Sequence, residues 1–200
     1  MLPAGHREFV RLNLKAAFEA LLQFGNPPRE PDPVSIVFLL REPQFLNADQ
    51  LCAAAERAFG VPFKILRSRL NDAAINDDCK HCLIVAVLFT MLRAGPHTLS
   101  FLNMARPYGE GNSAVEFGKS LPREAQRRAW TEHKAFTAVD YVQGSADAKL
   151  KYAVLAKLCA EMLNGDCAAL YVPGQGTLVP NDSSITQTLH SIASVRQVSV

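Results

Sequence analysis

The segment from Trp130 to Val172 constrains the fold more than any other part of the chain. Both of its ends are rich in aromatic and β-branched residues, as strands are, and the residues between them have an apolar side chain about every four positions. We therefore predict a strand over His133–Val142, a helix over Asp147–Leu163 and a strand over Cys167–Val172. A helix between two strands of one sheet favours a right-handed crossover.

Upstream of this segment the chain also alternates between strand and helix patterns. The Gly-Pro turn before His97 predicts a hairpin, and the glycine, proline and asparagine content of Ala105–Ser120 predicts a long surface loop. A short helix is expected from Leu121, and a last helix through Ile185 and Leu189. The other predicted elements are a strand over Val34–Leu40, a helix between Asn47 and Gly60, and strands over Pro62–Leu66, Leu83–Thr90 and Thr98–Met104.

The resulting order, with strand and helix patterns on either side of a central hairpin, places the chain in the α+β class. We expect an antiparallel-rich mixed sheet with helices mainly on one face. This is a ferredoxin-like (split βαβ) plan with an extra strand and with added N- and C-terminal helices.

The first 33 residues differ in character from the rest of the chain. Residues 1–25 carry apolar side chains at helical spacing, which predicts an amphipathic N-terminal helix, and residues 26–33 contain four prolines, which predicts a stiff linker. Residues 34–200 are then a single α+β domain. The apolar face of the N-terminal helix suggests a homodimer contact through Phe9, Leu12, Phe18 and Leu22.

Composition excludes several classes of protein. Hydrophobic residues make up 48% of the chain, which is typical of a globular core, and the net charge of +2 gives no strong nucleic-acid signal. No apolar run reaches the roughly 18 residues that span a bilayer, so we expect no membrane partner. Charged residues near Met1 argue against a secretory signal, and five cysteines, an odd number, favour reduced thiols in the cytoplasm.

The short motif formed by Cys79, His81 and Cys82 is the sharpest local signal. Two thiols and an imidazole within four residues could begin a zinc site or a redox pair. A complete zinc site would need further ligands, for which His97 or His133 would have to be recruited by the fold. The alternative is an incidental pair of cysteines, and we predict no cofactor.

Trp130 and His133 are adjacent to a run of basic residues. His133 could act as a base or a ligand, or its ring could pack on Trp130 and bond a backbone carbonyl. Strand alternation places Asp140 on the opposite face from His133, which argues against a catalytic triad. Arg123 and Arg127, one helical turn apart, could bind phosphates or an acidic partner, or form a solvated face.

Three stretches together resemble the carboxy-terminal part of an uncharacterised bacterial family, a domain of unknown function. They begin at Trp130, Tyr152 and Ala168, and they contain a histidine before a strand, a Leu-Ala-Lys-Leu helix and an Ala-Leu-Tyr-Val strand. The resemblance covers residues 130–173. It implies a bacterial, intracellular α+β protein and assigns no catalytic residue.

Two functional hypotheses follow. The first is a noncatalytic module that binds a small ligand or a protein, with no catalytic residue, because no acid, base and nucleophile converge in the pattern. The second is an enzyme or zinc-binding protein that uses His133, His97 and the Cys79/Cys82 pair.

Overall fold

A computed structural model describes residues 34–67, 80–85, 90–182 and 185–194. The predicted N-terminal helix and the proline-rich linker lie outside these residues. Within them the strands are β1 (Val34–Leu40), β2 (Lys64–Arg67), β3 (His81–Val85), β4 (Thr90–Ala94), β5 (His97–Met104), β6 (Ala135–Gln143), β7 (Cys167–Val172) and β8 (Thr177–Pro180). The α-helices are α1 (Ala48–Phe59), α2 (Asn112–Ser120), α3 (Glu124–Glu132), α4 (Ala148–Met162) and α5 (Ile185–Ser194).

The described strands form one eight-stranded sheet in the order β2-β3-β4-β5-β6-β1-β7-β8. Neighbouring strands are antiparallel except for the parallel pair of β2 and β3. The prediction of an α+β protein with an antiparallel-rich mixed sheet is therefore confirmed. The sheet is larger than the predicted plan, because it contains strands that the sequence pattern did not separate.

The structure contains three helices or strands that the sequence pattern did not predict as separate elements. The predicted strand Leu83–Thr90 begins in β3 and ends in β4, and β3, β4 and β5 form two consecutive antiparallel pairs rather than one hairpin. The predicted loop over 105–120 contains α2, and the region after Val172 contains β8, which pairs with β7. Both elements depend on tertiary contacts: the indole of Trp130, for example, hydrogen-bonds the carbonyl of Ala114 in α2.

One face of the sheet carries the larger hydrophobic core. Alternate residues of β1, including Ile36, Phe38 and Leu40, pack with α1, α4 and α5 on this face. Helix α1 has well-defined ends, because Asn47 caps its first turn with its side chain and Gly60 ends it at a φ of 71°. We call this side the first face.

The second face packs against α2 and α3. The intervening residues of β1, Val37 and Leu39, contact a cluster that includes Trp130 of α3, and Phe117 of α2 packs against the same cluster. Helices therefore lie on both faces of the sheet. Ser35 and Asp140 are paired residues of β1 and β6 that also lie on this second face, beyond the end of the cluster.

Candidate functional site

A partly buried carboxylate, that of Asp140, lies on the second face of β6. Its cross-strand neighbours are Ser35 of β1 and Ser100 of β5. The hydroxyl of Ser35 donates a hydrogen bond to Asp140 Oδ1 at 2.5 Å, and the side chain of Ser100 also hydrogen-bonds the carboxylate. Two neighbouring strands thus hold the carboxylate in place.

The environment of Asp140 disfavours its charge. Burial raises the pKa of the Asp140 carboxyl above its ordinary value, and the hydrogen bonds from Ser35 and Ser100 lower it by less. Among the described residues, these two hydroxyls are the groups that lower the pKa of Asp140, and no lysine or arginine contributes to lowering it. Asp140 is therefore an acidic group without a cationic partner in the described part of the chain.

Two tyrosines pack against the cluster on the same face of the sheet. Tyr108 comes from the loop after β5 and Tyr171 from β7, and their ring centroids are 5.6 Å apart. Burial, together with the nearby Tyr171 and Asp140, raises the pKa of Tyr108 to about 12. Burial also raises the pKa of Tyr171. Both phenols thus keep their protons at neutral pH and can donate hydrogen bonds.

An aromatic cluster supports the two tyrosines from behind. The Tyr171 ring lies 5.3 Å from Phe117 and 5.5 Å from Trp130, and the Tyr108 ring lies 5.0 Å from Phe136. The rings meet edge to face or at a tilt, which is the favourable geometry for aromatic pairs. Packing therefore restricts the positions of the two phenols.

His133 connects this cluster to the loop that carries Tyr108. Its Nδ1 lies 2.6 Å from the carbonyl oxygen of Trp130, and its Nε2 accepts a hydrogen bond from the backbone N–H of Tyr108 at 2.8 Å. A carbonyl only accepts, so Nδ1 carries the proton and the ring is neutral. Burial lowers the pKa of His133, with the backbone bonds opposing it. The imidazole is thus placed to orient Tyr108.

The structure brings together two residues that the sequence analysis selected for ligand or partner binding. Trp130 and His133 pack against each other with centroids 5.6 Å apart, and both are buried. Of the two alternatives for His133, the contacts match the second, in which its ring packs on Trp130 and hydrogen-bonds a backbone carbonyl. Both residues lie behind the tyrosines, where they can support a site without touching its ligand.

Arg123 and Arg127, the other two selected residues, are exposed; Arg123 is the N-cap of α3 and Arg127 lies within the helix. One guanidinium nitrogen of Arg127 donates to the carbonyl of Leu121 at 2.6 Å. Nearby charges are partly neutralised, because Lys119 pairs with Glu116 and Arg128 with Glu132. Lys119 and Arg128 are also exposed, but each has an acidic partner on the same surface.

His97 lies far from His133. His97 is the first residue of β5, which lies next to the last residues of the antiparallel strand β6. His133 lies just before the first residue of β6, so the length of that strand, about 25 Å, separates the two histidines. On the first face, His97 Nδ1 lies 2.7 Å from the hydroxyl of Tyr141, and the ammonium of Lys151 stands 5.8 Å from the centre of the Tyr141 ring. The two histidines therefore do not converge.

The cysteine motif is only partly described, because Cys79 lies outside the described residues. His81 and Cys82 are successive residues of β3, so their side chains point to opposite faces of the sheet. The His81 ring meets Phe63 edge-on, and Cys82 is fully buried. Over the described ranges, no group of three or more histidine, cysteine, aspartate or glutamate side chains could hold a metal ion.

A small groove of about 50 Å³, open to solvent, lies on the first face. Its lining combines apolar side chains such as Phe101 and Met162 with the neutral polar residues Thr90, Asn103 and Thr137. The hydroxyl of Thr137 donates to the Asn103 side-chain oxygen at 2.7 Å. None of the described residues that line this groove is ionisable, and Asp140 is not among them, so the groove and the carboxylate are separate features.

Sequence reasoning did not identify the group formed by Asp140, Ser35, Ser100, Tyr108 and Tyr171. The available signal was a carboxylate between Val139 and Tyr141 in an apolar strand, since such a side chain must face water or polar partners. Its partners could not be found in the same way. They depend on the register between strands that are distant in sequence.

No protein-family model, curated protein or solved structure matches the chain. The resemblance of residues 130–173 to an uncharacterised bacterial family therefore stays a prediction. None of the described helices is long and apolar enough to cross a membrane.

Proposed function

We propose that this protein is a noncatalytic ligand-binding module whose ligand contacts the second face of the sheet. We call the group formed by Ser35, Ser100, Tyr108, Asp140 and Tyr171 the acid–tyrosine site. The observation that supports the proposal is the partly buried Asp140 carboxylate, held by serines of both neighbouring strands on the same face of the sheet as two packed tyrosines. Sites on strands with restrained rotamers are suited to binding, because little ordering is needed when the ligand arrives.

Several observations favour binding over catalysis at this site. The phenol of Tyr108, with its pKa near 12, is a poor base or nucleophile at neutral pH. Both ring nitrogens of His133 are occupied by the backbone, so this imidazole cannot shuttle protons without breaking a bond. The residues can therefore recognise donors and acceptors, and they do not form a nucleophile and base pair.

The exposed face of α3 extends this proposal to a protein partner. Arg123 and Arg127 lie one helical turn apart, and together they could receive an acidic segment. Self-association through the apolar residues of the N-terminal segment is a separate proposal, based on the sequence pattern of residues 1–25 alone.

We also infer a split βαβ plan for the centre of the sheet and a cytoplasmic location. The neighbours β5-β6-β1-β7 have the order of that plan, and α1 and α4 share one hydrophobic cluster, which supports the inference. Free thiols at Cys52, Cys82, Cys159 and Cys167 are in keeping with a reducing compartment.

The alternative is an enzyme or zinc-binding protein that uses His133, His97 and the Cys79/Cys82 pair. The separation of the two histidines and the opposite directions of His81 and Cys82 weigh against it. Elemental analysis of protein purified without added metal tests this alternative. Zinc at one ion per chain, lost in a Cys79→Ser/Cys82→Ser variant, would favour it over our proposal.

A thermal-shift screen against chemically diverse small molecules tests the binding proposal. We expect at least one compound to raise the melting temperature of the wild-type protein but not of Asp140→Asn or Tyr108→Phe. An Arg123→Ala/Arg127→Ala variant, altered on α3 only, should respond as wild type does. If every stabilising compound acts equally on Asp140→Asn and on wild type, the acid–tyrosine site is not the binding site.

A further inference from the structure

The loop between β5 and α2, residues 105–111, is hydrogen-bonded to the end of α3 through the side chain of His133. We propose that His133 is a pH-sensitive latch: its neutral ring holds this loop closed on the aromatic cluster, and its protonation releases the loop while the rest of the domain stays folded. This inference goes beyond the proposed binding function and does not depend on it, since it involves no ligand.

The two hydrogen bonds of the imidazole have different and fixed roles. Nδ1 lies 2.6 Å from the carbonyl oxygen of Trp130, which only accepts, so Nδ1 carries the proton. Nε2 is then the acceptor for the backbone N–H of Tyr108, at 2.8 Å. A second proton can bind only at Nε2. The bond to the loop is therefore the one that protonation breaks.

Protonation weakens the contact on one side of the ring only. With a proton on Nε2, two N–H groups face each other at Tyr108, whereas the bond from Nδ1 to the Trp130 carbonyl becomes charge-assisted and stronger. His133 is 4% exposed, so while the loop is closed its charged ring is largely shielded from water. The imidazole should therefore stay with α3, and the loop should move away from it.

Tyr108 is the residue that anchors the loop. It is half-buried, and the other residues of 105–111 are exposed. Its ring packs edge-on against Phe136, with the ring centroids 5.0 Å apart. The ion pair between Arg106 and Glu110 lies within the loop, so it can move with the loop. Opening therefore breaks the bond to His133 and the contacts of the tyrosine ring.

Two glycines make the loop backbone suitable for such a movement. Gly109 and Gly111 have φ angles of 73° and 82°, in the left-handed region that glycine adopts readily. Small residues at the ends of elements often serve as hinges. Both glycines lie between Tyr108 and the first residue of α2, so the loop can swing without unwinding that helix.

The ionisable groups around the latch leave His133 as the one that titrates near neutral pH. The charged residues of the loop, and those next to His133 in the chain, are exposed and have partners of opposite charge. The phenols of Tyr108 and Tyr171 keep their protons, because burial raises the pKa of each. The ion pairs are Arg106 with Glu110, Arg128 with Glu132, and Lys134 with Glu42.

The direction of the pH effect follows from burial. Burial lowers the pKa of His133 while the loop is closed, and the backbone bonds oppose this. In the open state the ring meets water and titrates near its ordinary value of about 6.5. Between these two values the open state binds a proton that the closed state does not. The open population should therefore rise by up to about tenfold for each unit by which the pH falls below about 6.5.

Native-state hydrogen exchange of the full-length protein between pH 5 and 8 tests the latch. Exchange is measured by NMR and corrected for the intrinsic rate at each pH. The Tyr108 amide reports on the loop, and the amide of Val139, a fully buried residue of β6, reports on global unfolding. Two variants are compared with wild type. His133→Gln keeps a side-chain acceptor that does not titrate, and His190→Gln removes an exposed histidine of α5.

We expect Tyr108 in wild type to be less protected than Val139 and to lose up to about tenfold of its protection per pH unit below about 6.5. The same loss should occur in His190→Gln but not in His133→Gln. Low concentrations of urea should accelerate the exchange of Val139 and leave that of Tyr108 unchanged.

Three results would overturn the latch. In wild type, Tyr108 protection could be independent of pH, or it could follow that of Val139 in both pH and urea, which would mean that the loop opens only when the whole domain unfolds. Both results come from wild type alone, so they hold even if His133→Gln does not fold. A pH dependence that persists in folded His133→Gln would assign the effect to another group.

Discussion

Replacing Asp140 by asparagine should make the protein more stable at neutral pH. Asparagine has nearly the same shape and keeps an oxygen that can accept the Ser35 hydroxyl, but it carries no charge. Since burial outweighs both hydroxyl bonds, the charged form of Asp140 is disfavoured in the folded state. The variant removes that penalty and should raise the free energy of unfolding.

The pKa direction gives both the sign and the pH window of the effect. The pKa of Asp140 is raised on folding, so between the ordinary carboxyl value and the raised one the folded state binds more protons than the unfolded state. Stability of the wild type therefore falls as pH rises through this window. Each unit by which the pKa is raised corresponds to about 1.4 kcal/mol at neutral pH. For a protein of this length, each kcal/mol shifts the melting temperature by about 2 to 4 °C.

Urea denaturation at a series of pH values from 3 to 8 measures this effect. The stability difference between Asp140→Asn and wild type should be positive at pH 7, shrink on acidification and vanish below the ordinary carboxyl pKa of about 4. Asp140→Ala is the control. It leaves the hydroxyls of Ser35 and Ser100 without their acceptor, which costs about 1 kcal/mol for each bond. An Asp140→Asn variant that is less stable at pH 7, or a difference independent of pH, would refute the reasoning.

Three further predictions concern the support of the site. His133→Phe keeps a ring but leaves the Tyr108 N–H without its acceptor, so the free energy of unfolding should fall by about 1 to 3 kcal/mol in urea denaturation. Because the pKa of His133 is lowered on folding, wild type should also lose stability as pH falls below about 6.5, and the Phe variant should lack this dependence. An absorbance titration should find the tyrosinate step of Tyr108 near pH 12, and Tyr108→Phe should remove it; if the step lost in Tyr108→Phe lay near pH 10, the burial of Tyr108 would be contradicted. Gly118→Ala would place a Cβ 2.8 Å from Trp130 and should lower the free energy of unfolding by about 1 kcal/mol or more, despite the better helix propensity of alanine. Gly165→Ala is the control, because its Cβ would meet no atom within 4 Å and the change should be nearly neutral. Equal melting temperatures for the two variants would show that Trp130 can shift at little cost.

The elements with strong local signals were predicted well from the sequence. Strand Cys167–Val172 has the same bounds in the structure, and helix Ala148–Met162 differs from its predicted bounds by one residue at each end. The residues that mark the ends of Ala48–Phe59, an asparagine cap and a terminal glycine, are also where the pattern placed them. Local chemistry determines these features, so one sequence was sufficient.

The missed elements depend on contacts that a sequence pattern does not contain. Helix Asn112–Ser120 has little apolar character of its own, and its packing partner Trp130 comes from the next helix. Strand Thr177–Pro180 is short, and Cys167–Val172 is its one partner among the described strands. Its edge is partly covered by Gln126, whose side chain donates to the Leu178 carbonyl.

The acid–tyrosine site was missed for the same reason, and this has a consequence for its function. Ser35 and Asp140 are 105 positions apart in the chain, and only the pairing of β1 with β6 makes them neighbours. A strand position between Val139 and Tyr141 would be more stable with an uncharged side chain, so folding alone does not account for a carboxylate there. If Asp140→Asn gains stability and loses ligand binding in the same experiments, the carboxylate is present for recognition. If it gains stability and binds as wild type does, Asp140 has no part in ligand recognition, and the ligand site must be sought elsewhere, first in the neutral groove of the first face.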